Sequence, residues 1–109
     1  MVERSENTAI FGACTILEAD DGLTALEIMK KEAREGRAID IVLLDYIMIN
    51  LNGPEAARRM RSELGYRGVI VGITGNALPE ELAFFKANGA DSVITKPLTN
   101  AKLIGAIQK

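Results

Sequence analysis

Short apolar runs alternate along this chain with stretches in which apolar residues return every three to four positions. CTILEA, residues 14–19, predicts a strand, and Leu23, Leu26, Met29 and Ala33 then mark one face of an amphipathic helix closed by Gly36. IDIVLLD, residues 39–45, is an almost unbroken run rich in branched side chains, as expected of a strand covered on both faces. The next helix opens at Gly53-Pro54, carries Ala56, Ala57, Met60 and Leu64 on one stripe, and stops at Gly65. VIVGIT, residues 69–74, predicts another buried strand. Pro79-Glu80-Glu81 starts a helix with acids in its first turn, where the helix dipole favours them, and Asn88-Gly89 ends it. SVIT, residues 92–95, is the last predicted strand, and a final helix from about Asn100 turns Leu103, Ile104 and Ile107 inward.

Strands alternating with helices at this spacing imply right-handed βαβ units, a parallel sheet and helices on both of its faces. No internal repeat, linker or low-complexity tract interrupts the 109 residues, which read as one α/β domain, 1–109. Hydrophobic residues at 48% and charged residues at 26% describe a globular chain. The net charge of −2 gives no general basis for binding nucleic acid or an acidic membrane. Histidine is absent, which removes Ser/His and Cys/His catalytic pairs, HExxH-type zinc sites and any role as a histidine phosphodonor. The single cysteine, Cys14, cannot form an internal disulfide and reads as a small strand hydrophobe in a reducing compartment. No apolar run approaches the ~18 residues of a membrane helix, so a cytoplasmic location is expected.

Ligands of open parallel sheets bind beyond the carboxyl ends of the strands, so the residues closing each strand are the informative ones. One predicted strand ends in Asp45, the next in Thr74, and the last is followed by Lys96-Pro97. Each alone has an ordinary reading: a turn former, a β-branched strand residue, a solvated loop charge. Together they supply a carboxylate nucleophile, a hydroxyl that can hydrogen-bond a phosphoryl oxygen, and an ammonium that balances added charge. Phosphoryl transfer to an aspartate needs these three groups.

The stretches LLDYIMINLNGPEAARRMR, VGITGNA and VITKPL resemble the receiver domain of two-component response regulators and hybrid histidine kinases, most clearly over residues 14–109. In that family a phosphoacceptor aspartate is followed by Met three residues on and Gly eight on, here Asp45, Met48 and Gly53. Thr74 stands 29 residues after Asp45, and Lys96 stands 22 after Thr74, both as the family spaces them. The resemblance implies a flavodoxin-like three-layer sandwich, with Asp45 as phosphoacceptor and Thr74 and Lys96 as phosphoryl-sensing partners. It also implies a cis Lys96-Pro97 bond, bound Mg²⁺, and a phosphohistidine on a histidine kinase or phosphotransfer domain as the donor partner. Nucleic acid and membrane are not expected as partners, and the chain reads as a signalling module rather than an enzyme.

This chain also departs from the family pattern. Receivers begin with an apolar strand ending in two acids that hold Mg²⁺ together with the acceptor. MVERSENTAIFG instead reads as the tail of a helix running into a loop, so the first, central strand and its acid pair are expected to be missing. Asp20-Asp21 matches the turn and helix-capping acids after the second strand. A metal would then have Asp45, the backbone carbonyl of Ile47, and water, which weakens Mg²⁺ binding. The family's Pro after Met48 is Ile49, and its aromatic position three before the lysine is Val93. Without the central strand, either the second and third strands close up, or another chain supplies a strand, or the chain is a truncated receiver.

Two rival readings stand beside phosphoryl acceptance at Asp45. One is a degenerate receiver that acts as a protein-interaction module without taking phosphate. The other is an aspartate-nucleophile phosphohydrolase of the haloacid dehalogenase type. That class needs a second Asp two residues after the nucleophile, where this chain has Ile47.

Overall fold

The expected alternation is present in a computed structural model of the chain, which describes residues 2–7, 14–76 and 78–107. Its elements run β1 (Val2–Asn7), β2 (Cys14–Asp21), α1 (Gly22–Arg34), β3 (Ile41–Ile49), α2 (Gly53–Ser62), β4 (Val69–Thr74), α3 (Pro79–Ala87), β5 (Ser92–Thr95) and α4 (Asn100–Ile107). β2 to β5 are parallel and lie in chain order, β2-β3-β4-β5. Sequential right-handed crossovers all turn to the same side of a sheet. Strand periodicity then sorts the side chains into two layers. Leu17, Val42, Leu44 and Ile70 pack with Ala25, Leu26 and Met29 of α1, Ala56, Ala57 and Met60 of α2, and Phe85 of α3. Ile16, Ile41, Leu43, Val71 and Ile73 face the other way and pack with Leu103 of α4. The sandwich therefore has three layers, with three helices on one face and α4 on the other.

The start of the chain corrects the sequence reading. Val2–Asn7 is not the tail of a helix but a strand, paired antiparallel with β2 from Val2↔Ala19 to Asn7↔Cys14. The rest of that segment, Met1 and residues 8–12, lies outside the described residues, as does the Cys14 side chain. An uncovered β2 would leave a row of backbone N–H and C=O groups without partners, and β1 satisfies them. β1 is an edge strand and does not replace the central one. No described strand lies between β2 and β3, which pair directly from Ile16↔Ile41 to Ala19↔Leu44. Among the described residues β2 and β3 thus close up on one another, as the first of the expected arrangements has it.

β3 also runs further than its apolar pattern suggested. It continues past Asp45 to Ile49, where a register shift lets Asp21 pair with Ile49. The isoleucine makes this extension feasible, because a proline at that position would have no N–H to give. The strand ends at Asn50, which takes a left-handed conformation with φ of 69°. Asp21 caps α1 as expected, its Oδ1 accepting from the Leu23 and Thr24 amides at 3.0 and 3.3 Å.

Candidate functional site

Strand order and register bring the three predicted residues to one edge. Asp45 on β3 pairs with Ile73 on β4, and Thr74 of β4 pairs with Thr95 of β5, so each lies at the carboxyl side of the sheet. Lys96 follows β5 directly, with its amide donating to Thr74 O at 2.9 Å and its bond to Pro97 in the cis form. From α4, the Lys102 ammonium donates to Thr95 O at 3.0 Å and Pro97 O at 3.1 Å, clamping that turn from the far side. Lys96 Nζ reaches back to Asp45 Oδ1 at 3.3 Å, so carboxylate and ammonium share one site. The Asp45 side chain is 29% exposed.

These residues line a cavity of about 140 Å³, together with Ile47, Asn76 and Glu81. Thr74 is buried at 3% exposure. Its hydroxyl donates to Glu81 Oε1 at 3.3 Å and accepts from the Asn76 amide at 3.2 Å. Sequence reasoning read Glu81 only as an acid in the first turn of a helix. Its position offered a further signal. Glu81 is the third residue of α3, from which a glutamate side chain turns back toward the segment before the helix. The N-cap, Leu78, has no side-chain acceptor of its own.

Receiver domains as a family bind Mg²⁺, an ion that prefers six oxygen ligands. Among the described residues no group of three or more acidic, histidine or cysteine side chains is placed to hold a metal. Asp21 is engaged elsewhere, capping α1 and accepting from Asn50 Nδ2 at 3.0 Å. The Asp20 side chain lies outside the described residues. Among the described residues the acidic side chains lining the cavity are Asp45, paired with Lys96, and Glu81, which accepts from Thr74; with the Ile47 carbonyl they form a set that does not fit a tightly held ion. Val93, in place of an aromatic ring, packs half-buried against the α1–α3 layer.

A parallel α/β sandwich with an aspartate, a threonine and a lysine from three adjacent strands gathered at the carboxyl edge of the sheet has the layout of a phosphorelay receiver. The family model for the response regulator receiver domain matches residues 6–108, and the chain belongs to that family. It is 42% identical over 81 residues to the sensor histidine kinase RcsC of Salmonella typhimurium, a match covering 74% of this chain and 8% of that protein. It is 33% identical over 103 residues to the two-component response regulator ORR41 of Oryza sativa subsp. japonica, covering 94% of this chain and 78% of that one. Among solved structures, the signal receiver domain of the putative response regulator NarL from Mycobacterium tuberculosis superposes with a TM-score of 0.68. That pair is 27% identical, covering 83% of this chain and 68% of the other. The chain is thus a module of two-component phosphorelay signalling, a system in which receivers interact with histidine kinases and phosphotransfer proteins. No described helix is long and apolar enough to cross a membrane.

Proposed function

We propose that Asp45 accepts a phosphoryl group from a phosphohistidine on a histidine kinase or phosphotransfer domain, and that the modified chain then binds its partners differently. The contact between Lys96 Nζ and Asp45 Oδ1 at 3.3 Å carries this reading. A carboxylate oxygen attacks phosphorus, the N–P bond of the donor breaks, and the imidazole leaves with the electron pair and takes up a proton from solvent. The aspartyl phosphate brings roughly two negative charges to this edge. Lys96 is the cation lining the cavity that balances them, and the Thr74 hydroxyl is the neutral donor for a phosphoryl oxygen.

Because the two acidic side chains described in the cavity, Asp45 and Glu81, are already engaged by Lys96 and Thr74, they are a poor set for Mg²⁺, so the ion is held weakly and phosphorylation by small donors is slow. The test is labelling of the chain and of Asp45→Asn with acetyl phosphate, with and without Mg²⁺, followed by mass mapping. Modification at Asp45, absent in the variant, supports the reading. A chain that stays unlabelled by both acetyl phosphate and a phosphorylated histidine phosphotransfer domain overturns it. Rapid, strongly Mg²⁺-dependent labelling would retain the acceptor and reject the weak metal site.

A further inference from the structure

The Thr74 hydroxyl has one proton to give, and at rest it gives it to Glu81. We propose that Glu81 is a latch that keeps Thr74 turned toward α3 until a phosphoryl group arrives on Asp45, so that the first turn of α3 responds to the state of the acceptor. The proposal rests on the reading of Asp45 as the phosphorylated residue. Thr74 is 3% exposed, so water is a poor substitute partner and its hydroxyl must choose between protein groups. The Asn76 amide already occupies one lone pair of that hydroxyl at 3.2 Å, which leaves the proton as the group that switches. Glu81 Oε1 receives it at 3.3 Å, a long contact that a closer and more highly charged acceptor can outcompete.

Charge works in the same direction. The ionisable side chains lining the cavity that take part are Asp45, Lys96 and Glu81. At rest the Asp45–Lys96 pair is neutral in sum, and Glu81 leaves the cavity with one negative charge. An aspartyl phosphate replaces one negative charge by about two, and Glu81 then faces a like charge while losing the hydroxyl that held it. Glu81 sits at the third position of α3, directly after Pro79 and Glu80. Its displacement therefore acts first on the first turn of that helix. Glu81 is a positioning residue, acting on the reaction through Thr74.

The test follows the Thr74 methyl and the Asn76 amide by NMR in the full chain, before and after treatment with acetyl phosphate. It compares the wild type with Glu81→Ala and with the isosteric Glu81→Gln, which keeps the shape if the alanine variant folds poorly. Without phosphate, both variants are expected to shift the Thr74 and Asn76 signals toward their positions in the phosphorylated wild type. Labelling of Asp45 should rise several-fold in Glu81→Ala and less in Glu81→Gln, which keeps an acceptor but loses the charge. If the wild type labels at Asp45 while the folded variants label at the same rate with unmoved Thr74 and Asn76 signals, the latch is wrong and the acceptor stands. If no chain labels at Asp45, the acceptor reading falls, and the latch with it.

Discussion

A side chain at Gly53 would begin inside the main chain of Asp45. A Cβ there would lie 2.2 Å from the Asp45 carbonyl oxygen and 2.6 Å from the Phe85 ring. The glycine at the start of α2 is thus the surface on which the Asp45 backbone rests. Phe85 completes the contact, packing edge-on against Tyr46 with ring centroids 5.6 Å apart.

Gly53→Ala is therefore expected to destabilise the fold by about 3 kcal/mol, because the obstructing atom is backbone and cannot swing aside. Urea denaturation measures the loss. Labelling of Asp45 in the folded fraction should fall as well, since the strand carrying it must shift away from Lys96. A variant of wild-type stability would show that α2 is free to back away from β3.

Lys96→Ala should separate stability from function. The Lys96 side chain is 56% exposed, so its pairing with Asp45 contributes at most about 1 kcal/mol to folding. Its charge matters far more once a phosphoryl group is present. The expected result is a urea midpoint close to wild type with labelling slowed about tenfold or more, the usual scale for losing one charge-stabilising donor. Equal labelling rates would remove Lys96 from the site.

Tyr66 gives the fold an alkaline limit. Burial raises its phenol above the ordinary 10.0, with the nearby Arg61 charge opposing that shift, and its hydroxyl donates to Ile39 O at 2.8 Å. The folded chain holds this proton more tightly than the unfolded chain. Its contribution to stability is intact below about pH 10 and is lost as the pH rises beyond it. Tyr66→Phe should cost about 1 kcal/mol at neutral pH. Its urea midpoint should then fall less steeply than that of the wild type above about pH 10. Parallel curves for the two chains would exclude Tyr66 as the cause.

Arg61 holds together the end of the molecule opposite the site. From α2 it donates to Tyr66 O at 2.9 Å, Gly68 O at 2.8 Å and Gly89 O at 3.0 Å, and it pairs with Asp91 at 2.9 Å. The same Asp91 oxygen accepts from the Ile70 amide at 2.8 Å, so one guanidinium braces the entries to both β4 and β5. Arg61→Met, which keeps the apolar stem, should lose about 2–3 kcal/mol while leaving the rate of Asp45 labelling per folded molecule unchanged. A change in that rate would mean the brace reaches across the sheet to Asp45.

What could be read from the residues follows what is local. β4 and β5 match their expected bounds, 69–74 and 92–95, because each is a short apolar run between unambiguous turn residues. That Asp45, Thr74 and Lys96 meet was legible because parallel pairing carries them to one edge, although β3 does not end at Asp45 as its apolar run suggests. β1 was not legible, since VERSEN has no apolar face and becomes a strand only because β2 offers it an edge. The extension of β3 to Ile49 depends on Asp21, far away in sequence. Glu81 was visible as a helix-start acid, but its bond to Thr74 exists only once β4 and α3 are placed.

The chain-order sheet also bears on how the molecule is made. Each strand from β2 onward pairs with the one just before it, so every contact in the parallel sheet closes a loop only one helix long. No pairing in this sheet skips over an intervening strand. Low sequence separation between partners lowers the entropy lost at each closure and favours fast folding. The molecule can therefore be assembled in the order in which it is translated. Asp45 and Thr74 are in place as soon as β4 has docked, and the site is completed when Lys96 arrives at the end of β5.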